Sequence, residues 1–301
     1  MALQKQIWLN SIVEMLFASN TFAARSTDHS AFVTDKTVHV PNAGGAPGVT
    51  KNRSTFPATA TQRADDDLTY NINEYSTDPI HLQHSEEVEL SYNKRESILK
   101  QMKSALADKA HTDLALSWVP TGFAKVATTG ANAPAHLKGA TPATGNRKSM
   151  TKADVLAVKN LFDLDDIPQE GRCILLDAVM YNQLLASLTE SEAMAFLNSA
   201  DAQRGVLGKL YGFDFYMRST VFRMVSAGTA MASTLAATDS AAGLAWQEDC
   251  VSRAMGDNEL FENEDDALYY GDVMSALVRA GGSYIRYDKK GVCVIYQATP
   301  A

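Results

Sequence analysis

Four stretches of the chain carry side chains that could do chemistry. "GRCILLDAVMYNQLLAS" (171–187) reads as a buried strand that ends at Asp177 and runs into a helix. An acid at such a corner is where α/β enzymes place catalytic or nucleotide-binding carboxylates. That role needs a nucleophile, a base or a glycine-rich phosphate loop beside it. The preceding "QEGRCILL" has one glycine, and a doubly wound sheet needs several βα units in series. Asp177 is therefore expected to cap the helix by accepting a backbone amide of its first turn. His81 and His84 are the one close histidine pair. No cysteine or acid completes a metal set around them at recognised spacing, and they are assigned to polar surface. The acidic run "DNELFENEDDALYYGD" (257–272) lacks the Asp-x-Asp-x-Asp-Gly pattern and distant Glu of a calcium loop. It reads as a solvated or partner-facing surface. "LGKLYG" (207–212) lacks the Gly-Lys-Ser/Thr of a phosphate loop, so its glycines mark a turn into "FDFYMRS". G-x-S-x-G is absent too. No catalytic residue, metal or cofactor is assigned, and the chain is expected not to be an enzyme.

The bulk properties agree. A chain of 301 residues with 46% hydrophobic and 21% charged side chains is an ordinary folded polypeptide with room for two domains. A net charge of −8 argues against recognition of nucleic acid through phosphates, which takes clustered Lys and Arg. Cys173, Cys250 and Cys293 are odd in number and widely spaced, which supports neither a disulfide framework nor a zinc site. Residues 3–17 are apolar but interrupted by Gln4, Lys5, Gln6, Asn10 and Glu14, so they make neither a signal core nor a span of about 20 apolar residues. Leu3, Ile7, Trp8, Ile12, Met15 and Leu16 fall at helical spacing and predict an amphipathic helix in need of a partner surface.

The elements that follow are unevenly built. "KTVHV" (36–40) and "DLTYNINEY" (67–75) alternate as strands, with Leu68, Tyr70 and Ile72 on one face, around a Pro- and Gly-rich centre at 41–57. This predicts an extended hairpin with little core of its own, and an isolated two-stranded ribbon is marginal in water. From Ser85 to Trp118 there is neither Gly nor Pro, and Val88, Ile98, Leu99, Met102, Leu106, Ala110, Leu114 and Trp118 recur at helical steps. A continuous helix of that extent is roughly 45 Å long, a spine rather than an ordinary helix. Residues 119–149 have no acid and three prolines, and read as a loop. Ser149 or Thr151 then caps the helix "KADVLAVKNLFDL". "VSAGTAMASTLAATDSAAG" (225–243) reads as a low-complexity spacer, "LAWQEDCV" as a strand, and "GGSYIRYDKKGVCVIYQA" as a hairpin turning at Asp288–Gly291.

An arm, a coreless hairpin and a very long helix together suggest a chain built for assembly. With that element order, "GRCILLDAVMYNQLLASL", "LGKLYGFDFYMRSTV", "GLAWQEDCVSRA" and "YGDVMSALVRAGGSYIRYDKKGVCVIY" resemble segments of the HK97-like major capsid proteins of tailed double-stranded DNA phages. The resemblance implies an α+β capsid fold: an N-arm (1–30), an E-loop hairpin (31–84), a P-domain spine helix (85–119), an A-domain (120–240) and a C-terminal return (241–301). It implies self-assembly into hexamers and pentamers of an icosahedral shell around double-stranded DNA held non-specifically. A scaffolding protein, a portal and decoration proteins would be its partners, with no membrane, and assembly would take place in the bacterial cytoplasm. The helix begins at once, which implies a separate scaffold or a processed start. Lys36, Lys51 and Asn52 lack the flanking pattern of a cross-link. Contacts between copies are expected from Leu3, Ile7 and Trp8, and from Lys51, Arg53 and Arg63 meeting Asp257, Glu259, Glu262, Glu264, Asp265 and Asp266. A tail-tube or connector protein, or an α/β enzyme using Asp177, are the rival readings.

Overall fold

The computed structural model describes residues 21–34, 36–43, 48–54, 56–57, 60, 62–63, 65–83, 94–137, 142–219, 221–225, 231–232, 236–266 and 268–300. Along the chain, β1 (Thr27–Asp28), β2 (Val33–Thr34), β3 (Thr37–Asn42), β4 (Asp66–Asn71), β5 (Asn73–Ser76) and β6 (Ile80–Gln83) precede helix α1 (Lys94–Ser117). Then come β7 (Ala124–Ala127), β8 (Asn132–Pro134), β9 (Asn146–Lys148), α2 (Lys152–Leu164), β10 (Arg172–Asp177), α3 (Ala178–Ser187) and α4 (Glu190–Asn198). The remainder is all strand: β11 (Lys209–Leu210), β12 (Phe213–Arg218), β13 (Phe222–Met224), β14 (Met231–Ala232), β15 (Ser240–Gln247), β16 (Val251–Asp266), β17 (Gly271–Tyr284) and β18 (Val292–Tyr296).

These strands form two main sheets. The central sheet runs β11-β12-β10-β15-β13-β14, with β18 on β15 and β7 on β18. Every residue of β10 is buried because the strand serves two cores. Ile174 and Leu176 face α2, α3 and α4, while Cys173 and Leu175 face Phe22, Trp118 and Trp246. A strand covered on both faces reads as an unbroken apolar run. The second sheet, β1-β16-β17 with β5 and β6 along β17, is a long ribbon under α1. Ile98, Leu99, Met102 and Leu106 pack on Leu260, Met274 and Val278. The described helix has 24 residues, roughly 36 Å; its predicted start at Ser85 and Val88 lies outside the described residues. The helix and ribbon converge at Gly282, where a Cβ would stand 2.4 Å from Leu114 and 2.5 Å from the Ser252 carbonyl, so only glycine fits. Among the described residues no helix is long and apolar enough to cross a membrane.

The hairpin strands pair as predicted, Val38 opposite Tyr70 and Val40 opposite Leu68, but its base is not coreless. Val38, Val40, Tyr70 and Ile72 pack on Ala254 of the ribbon, and past Ile72 the chain leaves the hairpin to join β17 as β5. Other readings are corrected outright. The stretch 119–149 is not a loop: β7 lies parallel to β18, and β8 pairs with β9. The strands flanking Asp288–Gly291 do not form a hairpin, since β17 belongs to the ribbon and β18 to the central sheet. The spacer 225–243 contains β14 and the start of the fully buried β15, and the strand read in "LAWQEDCV" is broken by a short 3-10 turn at Glu248–Cys250. β12, which follows the predicted turn, lies parallel to β10 with Phe213 to Tyr216 all buried.

Candidate assembly surfaces

The two sheets are joined by the segment Thr21–His29. The Phe22 ring meets Trp118 edge-on at 5.9 Å, Trp246 at 6.2 Å and His111 at 5.9 Å. The Trp118 indole donates to the Ser252 carbonyl at 2.7 Å, and that of Trp246 to the Arg25 carbonyl at 2.8 Å. Arg253 of β16 donates to the Ala23 carbonyl at 2.7 Å and pairs with Asp28 at 3.2 Å. Arg25 pairs with Asp214 at 3.1 Å and Glu248 at 3.3 Å. β1 then adds a parallel rung to β16, Thr27 opposite Ser252. Burial pushes the Cys173 thiol of this seam up to about 12, so it stays protonated and unreactive at neutral pH.

The ribbon runs outward from this seam. Arg95 on α1 pairs with Glu262 of β16 and, at 3.6 Å, with Asp272 of β17, tying the spine to both strands near their turn. At the turn the Asp266 carboxylate accepts the Leu268 amide at 2.8 Å and the Asn263 side chain at 2.7 Å. Leu268 and Tyr270 project from it, 85% and 77% exposed. The hairpin projects elsewhere. Its root is held by Glu74, which takes Lys36 at 2.7 Å and Arg279 at 3.1 Å; the Lys36 hydrogen bond, foremost, holds the Glu74 carboxyl below its usual range. Beyond Asn42 and Asp66 the chain exposes Val49 at 96% and Phe56 at 77%, beside exposed Lys51 and Arg53.

Comparison with solved structures finds this architecture over nearly the whole chain. A capsid structure of the cyanophage P-SCSP1u has a TM-score of 0.59 at 18% identity, covering 92% of this chain and 87% of that one. A Mycobacterium phage Che8 structure gives 0.57 at 16% identity, with coverage of 94% and 90%. The chain has the HK97-like capsid fold. A virus-like particle from Pyrococcus furiosus shares that fold at 8% identity and a TM-score of 0.58, covering 97% of this chain and 99% of its own. No family model matches the sequence, and no curated protein matches it.

Within the HK97-like fold, the residues singled out from sequence fare differently. Lys51 and Arg53 stand exposed on the hairpin excursion, and Asp257 and Glu264 stand exposed on the ribbon, with Glu259 half-buried. No described ion pair joins the two sets within the chain. Three others have partners within the chain: Arg63 pairs with Asp65, Glu262 with Arg95, and Asp266 organises the ribbon turn. Leu3, Ile7, Trp8 and His84 lie outside the described residues, as does the side chain of Asp265. His81 sits on β6 with its ring 5.6 Å from Tyr269.

Asp177 caps α3, accepting the amides of Val179 at 2.9 Å and Met180 at 2.8 Å on one oxygen. Its other oxygen lies 2.6 Å from His136 Nε2, a partner 41 residues away that sequence spacing could not supply. Both oxygens are spent on holding structure. Arg95, Arg253 and Phe22 were also missed. Each acts on partners far away in the sequence, so no local pattern marks them.

Proposed function

We propose that the chain is the shell-forming subunit of an icosahedral phage-type capsid, a structural rather than catalytic protein. The observation that carries this reading is the end-to-end match with capsid subunits in both directions, together with apolar and charged side chains that project where the subunit offers no cover. On this reading residues 31–84 act as an E-loop arm laid across a neighbouring copy. Lys51 and Arg53 meet exposed ribbon acids such as Asp257 and Glu264 of that copy, and α1 with the ribbon serves as the P-domain spine. Exposed ion pairs contribute only about 0–1 kcal/mol each, so they set register. Burial of side chains such as Val49, Phe56, Leu268 and Tyr270 supplies more, at roughly 25 cal/mol per Å². Hexamers and pentamers of such subunits would enclose double-stranded DNA, formed in the host cytoplasm with a scaffold and a portal. Electron microscopy of the purified chain tests the reading. Closed megadalton particles support it, rings or tubes would assign the chain to a tail or connector, and a small oligomer would overturn it.

A further inference from the structure

The hairpin meets the body of the subunit over a narrow base. Val38, Val40, Tyr70 and Ile72 supply the apolar contact, but a cleft of about 480 Å³ opens beside it. Val33, Lys36 and Ile72 wall the cleft from the hairpin side, and Met255, Gly256 and Arg279 wall it from the ribbon side. A base packed on one flank and open on the other has room to rock, because contact is lost wherever facing atoms are separated by a gap. Two side chains oppose that motion. Glu74 ties the two walls together, taking Lys36 of the hairpin at 2.7 Å and Arg279 of β17 at 3.1 Å on the same oxygen. Asn42 stands at the other end of the base, on the last rung, opposite Asp66. Its amide donates to the Ile285 carbonyl at 2.9 Å and to the Val40 carbonyl at 3.2 Å. Ile285 lies where the chain leaves β17 on its way to β18, so the outer end of the base is bonded to the link between the two sheets. Between these two ties lies β3, six residues long, roughly 20 Å at about 3.4 Å per residue. Fixed points that far apart define a direction.

We propose that Asn42 and Glu74 are positioning residues of the hairpin: together they hold it in one direction, and that direction sets how readily it lands on a neighbouring copy. The second half of the proposal rests on the shell-forming reading. An arm already held in the competent direction is ordered within the subunit rather than at the moment of contact. An arm that occupies that direction a tenth of the time associates about tenfold more weakly. Exposed ion pairs and single hydrogen bonds add little to global stability, so releasing either tie should move the hairpin without unfolding the subunit. Asn42→Asp keeps the size of the side chain, loses both donors and turns carboxylate oxygens toward two carbonyls. Glu74→Gln keeps the shape and removes the charge that Lys36 and Arg279 share.

Double electron–electron resonance on the full chain reads the direction of the base without requiring a shell. Spin labels are attached after Asp66→Cys, on the outer rung of the hairpin, and Phe261→Cys, on β16; both positions are exposed. The native Cys173, Cys250 and Cys293 are buried, so the labels go to the introduced thiols. The parent should give one narrow distance distribution. Asn42→Asp with Glu74→Gln should widen it at least twofold, and each single variant should widen it less. Should Asn42→Asp fail to fold, Glu74→Gln alone carries the measurement. In the unlabelled chain the double variant should slow assembly, followed by light scattering, about tenfold. An unchanged distribution would overturn the proposal, whether or not particles form. A widened distribution with an undiminished assembly rate would overturn the role of the two residues in assembly. A distribution that widens in the variants while the wild type makes no particles would support the two ties and contradict the shell-forming reading.

Discussion

The sheet around β10 and the excursion beyond β3 and β4 belong to one chain but satisfy their side chains in opposite ways. Around β10 even the cations are internal. Arg172 donates to the Pro168 and Ile167 carbonyls and to Asp163, and lies over Phe162 and Phe213. Arg147 donates to the Thr238 and Asp239 carbonyls and to Ser240. Buried charge is tolerated only with hydrogen bonding of this kind. The excursion has the reverse character, with Val49, Phe56, Lys51 and Arg53 all turned outward. The first region holds the subunit together, and the second leaves apolar and charged side chains exposed, as the proposed contact with another copy requires.

If that division is right, perturbations should separate stability from assembly. The largest effect is expected on replacing residues 44–64 by a short turn. Shells should be lost altogether while the subunit unfolds within about 1 kcal/mol of the wild type, since loop closure varies slowly with length. Normal particles in the microscope, or an insoluble subunit, would break the contrast. Trp246→Ala should destabilise the subunit by about 3–5 kcal/mol in chemical denaturation, because it removes a fully buried ring and its bond to the Arg25 carbonyl; assembly should fail only as a consequence. Arg95→Met probes the boundary between the two regions. Leaving Glu262 and Asp272 without that partner should cost about 1–3 kcal/mol and raise hydrogen exchange in β16 and β17 near their turn. The smallest effect belongs to Lys51→Glu with Arg53→Glu. It should leave denaturation unchanged and slow assembly in light scattering at low salt, by a margin that shrinks as salt shortens the screening length from about 10 Å at 0.1 M to 3 Å at 1 M.

How much was legible in the sequence follows the same division. β10 and α3 could be read because an apolar run ends at a capping acid, and Thr151 with Asp154 forms the capping box that opens α2. β15 could be read only in its second half, "LAWQ". Its first half, "SAAG", resembles a spacer because the strand lies so close to its neighbour that a Cβ at Gly243 would stand 2.7 Å from the Leu175 carbonyl. Small residues there reflect crowding rather than looseness. β7 and β18 pair across more than 160 residues, Ala124 with Cys293, so the first looked like loop and the second like half of a hairpin. The exposed hairpin residues were legible as types, whereas the pairing of Arg63, Glu262 and Asp266 within the subunit depends on distances that only the fold fixes.

The central claim is that this chain closes into a shell of its own copies. Electron microscopy of the purified full-length protein, with sedimentation to size the population, tests it most directly. Closed icosahedral particles in the megadalton range are the predicted result; a population of monomers or small oligomers across concentration and salt would contradict it.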